Sequence, residues 1–539
     1  MTIPFLIIGQ GLAGSLLAWK LMQSEQRVLL VDSVRENSAS RIAAGLVNPI
    51  TGQRLVKAED VDQCLSSAMA CYTGLQQAFD HPFYYPKPML RLFGSQADKD
   101  RYLNRCRDPK YREYLGEEFA PGQSGEPIDS NRGGFKQQQT GYLDIPALLD
   151  TLRRYFKEHK ALVDARFNYQ DLELLNDQVR WQGQQVESVI FCDGAQAIDN
   201  PWFRWLPFQL SKGEIITVRS SARLPEAIIN DGYWLLPYES KVARSGATYD
   251  WEWMSEGPTQ DARQQLLDAC HRITGDDSEL ELIDHRAGVR PTTRDKSPFL
   301  GAHPEHPALH IFNGFGSKGS LLIPYYVDCM ANYFLGDKPL PDKADIARFD
   351  NGKSIVTVTR RYLSEHIQPG DVVVDATVGN GHDTEFVARC VGSSGRVFGM
   401  DIQQQAIDNT YRRLSYSGLS ERVTLMKSNH EQLNHGIPPQ FQGYISAIVF
   451  NLGYLPGNNK QVVTFAKTTI AALKQSLSLI KTDGMLSIVC YRGHDEGVRE
   501  AGVLQDWLTT LDTNYFNIVV IDPDKASKSP FLVMVRKLA

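Results

Sequence analysis

The sequence predicts an α/β protein of two domains, each built on a parallel sheet of the nucleotide-binding kind. Three observations predict it. An apolar run, Phe5-Leu-Ile-Ile8, enters Gly9-Gln10-Gly11-Leu12-Ala13-Gly14 at the start of the chain. A second run, Asp371-Val-Val-Val-Asp375, enters another glycine turn far downstream. Between them the polar, proline-bearing stretch from Gly336 to Lys343 marks a boundary at about 336 to 352. The expected layout is residues 1–340, a linker at 341–352, and residues 353–539.

Length agrees, since 539 residues exceed what one core ordinarily holds. With 42% apolar and 22% charged residues the composition is that of a globular chain, and no apolar run approaches the ~18 residues of a membrane span. Met1 leads directly into a strand with no basic and apolar leader, so export is not expected, and a cytoplasmic location is. Eight cysteines without CxxC spacing read as reduced thiols, with neither a metal site nor a disulfide framework. The net charge of −6 gives no general affinity for nucleic acid, so any such contact must be local. One stretch, Arg101 to Tyr114, interleaves Arg101, Arg105, Arg107, Lys110 and Arg112 with Tyr102, Tyr111 and Tyr114. A solvated helix face is its stronger reading, and an RNA contact its weaker one.

In the first half, strand, GxGxxG turn and a helix from Ser15 to Met22 follow without a break. Gly9, Gly11 and Gly14 permit a tight turn, so that a pyrophosphate can rest on the N–H groups opening the helix. The next strand, Arg27 to Val31, ends in Asp32, where an acid accepts hydrogen bonds from a ribose. Further stretches resemble the FAD-dependent D-amino-acid oxidase superfamily, which includes glycine and sarcosine oxidases. They are Arg41-Ile-Ala-Ala44-Gly45-Leu-Val-Asn48-Pro49, Val189-Ile-Phe-Cys-Asp193-Gly194-Ala195, His285-Arg-Ala-Gly-Val-Arg290-Pro291 with Asp295, Pro298 and Gly301, and Asn313-Gly314-Phe315-Gly316-Ser317-Lys318-Gly319. The resemblance implies a Rossmann-type FAD domain with an inserted mixed β-sheet substrate domain. It places Arg41, Ala44, Gly45, Asp193, Gly194, Gly314, Gly316, Ser317, Lys318 and Gly319 at the flavin. It departs from the family at Asp32, where Glu is commoner. Oxidation next to an amine requires a fixed cation for the substrate's carboxylate, and by resemblance Arg290 is that clamp, with Arg294 second. Lys212 and Lys318 face the flavin or are solvated.

In the second half Asp375-Ala-Thr377-Val-Gly379-Asn380-Gly381 opens a glycine loop, and a strand from Gly395 ends in a second acid, Asp401-Ile402. This is the form of a class I S-adenosylmethionine-dependent methyltransferase: the loop admits the methionine moiety, the second acid takes the ribose, and Asn429-His430 borders the adenine. Phe450-Asn451-Leu-Gly-Tyr454-Leu-Pro-Gly457 and Cys490-Tyr-Arg492-Gly-His494-Asp-Glu-Gly resemble the YtqB/MnmM-like methyltransferases that methylate the aminomethyl group of the tRNA wobble uridine. The resemblance implies that Asn451 orients the amine, Tyr454 covers the base, and His494 accepts the proton or binds phosphate. Arg492, where that family usually shows proline, and the pair Asn458-Asn459 are departures.

Together the halves constrain the substrate. A carboxymethylaminomethyl group is an N-substituted glycine; removing its glycyl arm leaves the primary amine that the second domain's relatives methylate. The oxidase half resembles that of bifunctional MnmC enzymes, although here the domain order is reversed. The expectation is a monomer acting on the tRNA anticodon with FAD and S-adenosylmethionine, with no membrane or obligate protein partner. The alternatives are a free glycine- or sarcosine-type oxidase fused to a tRNA methyltransferase, and a domain retained only to dock RNA.

Overall fold

The computed structural model describes the chain except for residues 1, 35, 59, 176–177, 252–256, 276–278, 337, 350–353, 454–463, 494, 523–528 and 539. It forms two compact units: Met1–Ala197 with Phe208–Asp345, and Ile346–Ala539 with the segment Ile198–Pro207.

Among the described residues the first unit holds two eight-stranded sheets, with a three-stranded and a two-stranded one besides. The nucleotide-binding sheet runs through strands 162–164, 28–32, 3–8 and 184–191, all parallel, and 309–313 joins 184–191 in the same sense. Strand Ile3–Ile8 lies between two parallel neighbours, so its residues are apolar on both faces rather than alternating. The second sheet also has eight strands, with 280–290 and 211–220 at one edge and 115–119 at the other. It is antiparallel except where 228–231 runs beside 89–92. That is the mixed inserted sheet expected of the fold.

Helix Ile145–Glu158 closes one face of the nucleotide sheet. It starts on Asp144, whose side chain accepts the Ala147 N–H, and has proline in its first turn. Its buried residues Ile145, Leu148, Leu149, Leu152 and Phe156 recur at helical spacing. Arg153 is buried on the same helix.

The second unit is a seven-stranded sheet in the order 423–427, 396–401, 372–375, 445–452, 480–490, 531–537, 516–521. The first five are parallel and the last two add antiparallel. Its glycine loop and acid-ended strand therefore lie at the carboxyl ends of adjacent central strands, where open α/β sheets bind ligands. Segment 198–207 packs into this unit: Phe203, Trp205 and Leu206 are buried, Asp199 pairs with Arg389 at 3.0 Å, and Arg204 donates to the Ser364 carbonyl. Nothing in its sequence marks this placement.

Candidate cofactor and substrate sites

In the first unit the sequence motifs meet around the ends of the parallel strands. Gly9 has φ +102°, and a Cβ there would lie 2.5 Å from the Cys192 carbonyl oxygen, beside Asp193. Gly14 sits closer still, since its Cβ would reach 2.0 Å from the Gly9 carbonyl oxygen. The first and second glycine motifs are thus pressed together, and only glycine fits. Asn313 ties the closing loop to the second motif, donating from Nδ2 to Asp193 Oδ1 and to the Gly194 carbonyl, both at 3.0 Å. Tyr169 donates to the other Asp193 oxygen. Gly314 abuts Thr293, Gly316 abuts Thr292, and Ser317, Lys318 and Gly319 lead into helix Gly319–Gly336. Burial and the neighbouring Lys296 hold the Lys318 ammonium below its usual pKa.

The 39–45 segment lies against the strand that carries Arg290, because a Cβ on Gly288 would meet Ile42 and Ala39. Gly11 lies beside Ser40, whose hydroxyl accepts the Leu12 N–H that opens the first helix. Arg41 pairs with Asp150, Ala44 is buried, and Gly45 packs on the Leu143 carbonyl.

Asp32 is engaged on both carboxylate oxygens. Oδ1 accepts the Gln10 N–H at 3.1 Å and Oδ2 faces Arg153 at 3.2 Å. Arg153 also donates to Gln10 Oε1, to the Asp32 carbonyl, and to Asp164 at 2.6 Å. Asp164 and Asp32 are register partners on adjacent parallel strands, so two carboxylates stand side by side with one guanidinium between them. The sequence reading passed over Arg153. The available signal was a charge on the apolar stripe of its helix.

Arg290 lies flat across Gly213, where a Cβ would come within 1.9 Å of its Nη2. It donates to the Thr248 carbonyl at 3.2 Å and its guanidinium sits 4.4 Å from the Tyr249 ring centroid. Burial holds its pKa below the ordinary arginine value. Arg294 is exposed in a turn. Lys212 is not solvated: it is fully buried, 3.1 Å from Glu214 and 2.6 Å from the Gly257 carbonyl. The stretch Arg101 to Tyr114 offers no aromatic faces, since Tyr102, Tyr111 and Tyr114 are all buried. Arg105 covers the Tyr111 ring, and Arg101 bonds the Gln53 carbonyl and Asp98.

In the second unit Asp375 shapes the turn from within. It is fully buried, accepts the Thr377 N–H at 3.1 Å and the Thr384 hydroxyl at 2.6 Å, and burial raises its pKa to about 7. The sequence places Asp375 among the cofactor-binding residues, and in the structure both its oxygens lie on protein donors. Asp401 accepts the Gly379 N–H at 2.9 Å and the Gln403 N–H at 2.9 Å, which joins the second strand's acid to the glycine loop. Gly381 has φ +76°, and its Cβ would meet Thr410 Oγ1 at 2.6 Å, while Asn380 binds the same helix through Asn409 and Arg413. Ile402 is exposed beside Asp401, Asn429 caps the turn beginning at His430, and His430 is buried. Its Nε2 has no hydrogen-bond partner among the described residues, and burial lowers its pKa to about 4.

Asn451 is held from two sides. Its N–H donates to Thr377 Oγ1 at 2.7 Å, and its Nδ2 donates to Asp383 at 2.9 Å, which Arg360 grips in turn at 2.8 Å. Tyr454, His494 and the pair Asn458-Asn459 lie outside the described residues. Arg492 makes a two-pronged pair with Asp522 (2.9 and 2.7 Å) and lies over Phe531, so it anchors its loop to the antiparallel strands.

The FAD dependent oxidoreductase family matches residues 5–332, well over half of the chain. The chain belongs to this family. As an FAD-dependent oxidoreductase it carries a further match, to the rRNA methylase family, over residues 397–537. It is similar to the bifunctional protein MnmC of Aeromonas hydrophila, named for tRNA 5-methylaminomethyl-2-thiouridine biosynthesis, at 25% identity over 63% of this chain and 57% of that protein. It is also similar to the chloroplastic tRNA (mnm(5)s(2)U34)-methyltransferase of Arabidopsis thaliana, 39% identical over 28% of this chain and 58% of that one. The chain thus spans a little under three fifths of these curated relatives. Glycine oxidase of Bacillus cereus shares the first unit's fold, with TM-score 0.55 and 21% identity over 62% of this chain and 96% of its own.

The cofactors are therefore FAD in the first unit and S-adenosylmethionine in the second, and the residues fit both. The Gly9–Gly14 turn is a cradle that side chains would fill, and it opens onto a helix N-terminus with Asp32 at the neighbouring strand end. The second unit presents the glycine loop, Asp401 and the buried His430 Nε2, which has no partner among the described residues. No helix among the described residues is long and apolar enough to cross a membrane.

Proposed function

We propose that the protein carries out two successive steps on the tRNA wobble uridine. The first removes the carboxymethyl group from 5-carboxymethylaminomethyl-(2-thio)uridine, and the second methylates the exposed amine to give 5-methylaminomethyl-(2-thio)uridine. The observation that carries this reading is the union, on one chain, of an FAD unit presenting a half-buried arginine against an aromatic ring with a methyltransferase unit whose relative is named for that same nucleoside.

When bound, FAD would supply the two-electron acceptor for the glycyl carbon's hydride, and S-adenosylmethionine the methyl group. Arg290 holds the glycyl carboxylate by its remaining donors, with Gly213 beneath it keeping the guanidinium flat. Loss of a hydride from the carbon and of a proton from the nitrogen, two electrons and two protons in all, turns the C–N bond into an imine. Water adds to it, the C–N bond breaks, glyoxylate leaves, and a primary amine remains on the uridine side chain. In the second unit Asn451, held by Thr377 and by Asp383 with Arg360, orients that amine for in-line attack. Tyr454 covers the base and His494 takes the proton or a phosphate. The partner is the tRNA anticodon stem-loop and the setting the cytoplasm, with the protein acting as a monomer.

The test is nucleoside mass spectrometry of carboxymethylaminomethyl tRNA treated with the pure protein. FAD alone is expected to give aminomethyluridine, and FAD with S-adenosylmethionine the methylaminomethyl product. Arg290→Ala should stop the first step while leaving methylation of ready-made aminomethyl tRNA intact. Unchanged tRNA in both reactions overturns the reading.

A further inference from the structure

We propose that Tyr249 and Trp251 form a stacking subsite for the nucleobase that bears the substrate's side chain, so that the oxidase site selects a base-linked glycine over a free one. This rests on the function proposed above and names the feature that would separate it from oxidation of small amines.

Large aromatic rings are ordinarily buried, yet Tyr249 is 56% and Trp251 51% exposed. They are not scattered surface residues. Their rings stack with centroids 6.5 Å apart and planes 27° apart, and Arg290 lies against the Tyr249 ring at 4.4 Å. Cation and two flat faces thus form a short row extending from the residue that takes the carboxylate. The substrate has matching dimensions. Four bonds of about 1.5 Å separate its carboxylate carbon from the base, a reach of about 5 Å when extended. With the carboxylate on Arg290, the base falls on the side of the Tyr249 ring, 4.4 Å from the guanidinium, with Trp251 next to it, and free glycine has nothing to place there. The rings of the Arg101 to Tyr114 stretch are buried and cannot play this part. An exposed ring beside a cation suits any base, because every base has a π-face.

The experiment compares wild type with Trp251→Ala, Trp251→Phe and Tyr249→Phe as flavin-loaded full-length proteins. KM and kcat are measured for oxidation of carboxymethylaminomethyl tRNA, and binding of N-ethylglycine, which has the carboxylate and amine but no ring, is read from the flavin absorbance. Base–aromatic stacking is worth enough that Trp251→Ala is expected to raise the tRNA KM about ten- to a hundredfold. N-ethylglycine binding should stay within twofold, and Trp251→Phe should recover most of the loss. A Trp251→Ala protein with a tRNA KM within twofold of wild type overturns the subsite. So does equal weakening toward tRNA and N-ethylglycine, which would mark a general disturbance. Wild type inert toward the tRNA overturns the functional reading first, and the subsite with it.

Discussion

Replacing Arg153 by alanine is expected to weaken FAD binding without touching any atom of the flavin ring. Arg153 makes four hydrogen bonds, to Gln10 Oε1, Asp32 Oδ2, the Asp32 carbonyl and Asp164 Oδ1, and its side chain is only 8% exposed. Without it, Asp32 and Asp164 face each other across adjacent parallel strands, whose spacing is about 4.8 Å. Breaking a fully buried ion pair costs about 3–5 kcal/mol. Here Asp164 is half exposed and keeps Lys157 at 2.9 Å, so solvent and that lysine screen much of the effect. A loss of about 1.5–2.5 kcal/mol in cofactor binding remains, roughly ten- to seventyfold in Kd. The assay is titration of apoprotein with FAD, followed by flavin fluorescence. Two variants sharpen it. Asp164→Asn in the Arg153→Ala background removes the repulsion and should recover about half of the lost free energy, whereas a gap left by the missing side chain would not be repaired. Arg153→Ala that binds FAD within twofold of wild type, or a double variant no better than the single, would refute the reasoning.

Three further outcomes follow from the same geometry. Gly213→Ala places a methyl within 1.9 Å of the Arg290 guanidinium, so oxidation should fall at least tenfold, chiefly through KM, while methylation of aminomethyl tRNA stays unchanged. Gly381→Ala combines φ +76° with a 2.6 Å approach to Thr410, so affinity for S-adenosylhomocysteine in calorimetry should drop about tenfold or more while FAD binding is unaffected. Asp375 titrates near 7 when folded and near 3.9 when unfolded, so the folded state holds its proton more tightly. Its contribution is present below about pH 4 and is lost as pH rises through 7. Asp375→Asn should therefore melt higher than wild type at pH 8.5, with the advantage shrinking at pH 5.5, and an unchanged difference across that range would contradict the burial argument.

Features carried by local chemistry were legible in the sequence. Gly9, Gly14, Gly314 and Gly381 announce themselves because a backbone that must turn or approach closely excludes other residues, and the apolar strands show by continuous runs that both faces are covered. The mixed second sheet came only by resemblance, since its neighbours 228–231 and 89–92 lie far apart in sequence. Arg153, Trp251 and segment 198–207 were missed for one shared reason. Each takes its meaning from a contact made by folding: Arg153 meets Asp32 and Asp164, Trp251 stacks on Tyr249, whose ring the distant Arg290 approaches, and Asp199 of the segment meets Arg389. The place of Asp375 before a glycine turn is legible in the sequence, whereas its burial against Thr377 and Thr384 is set by the fold.

The central claim is that one nitrogen passes from the flavin site to the methyl donor. It is tested most directly by counting products on the same sample of carboxymethylaminomethyl tRNA, supplied with both cofactors and methyl-labelled S-adenosylmethionine. One glyoxylate released for each methyl incorporated is the predicted result. Methyl incorporation with no glyoxylate, or glyoxylate arising from added glycine while the tRNA keeps its carboxylate, would contradict it.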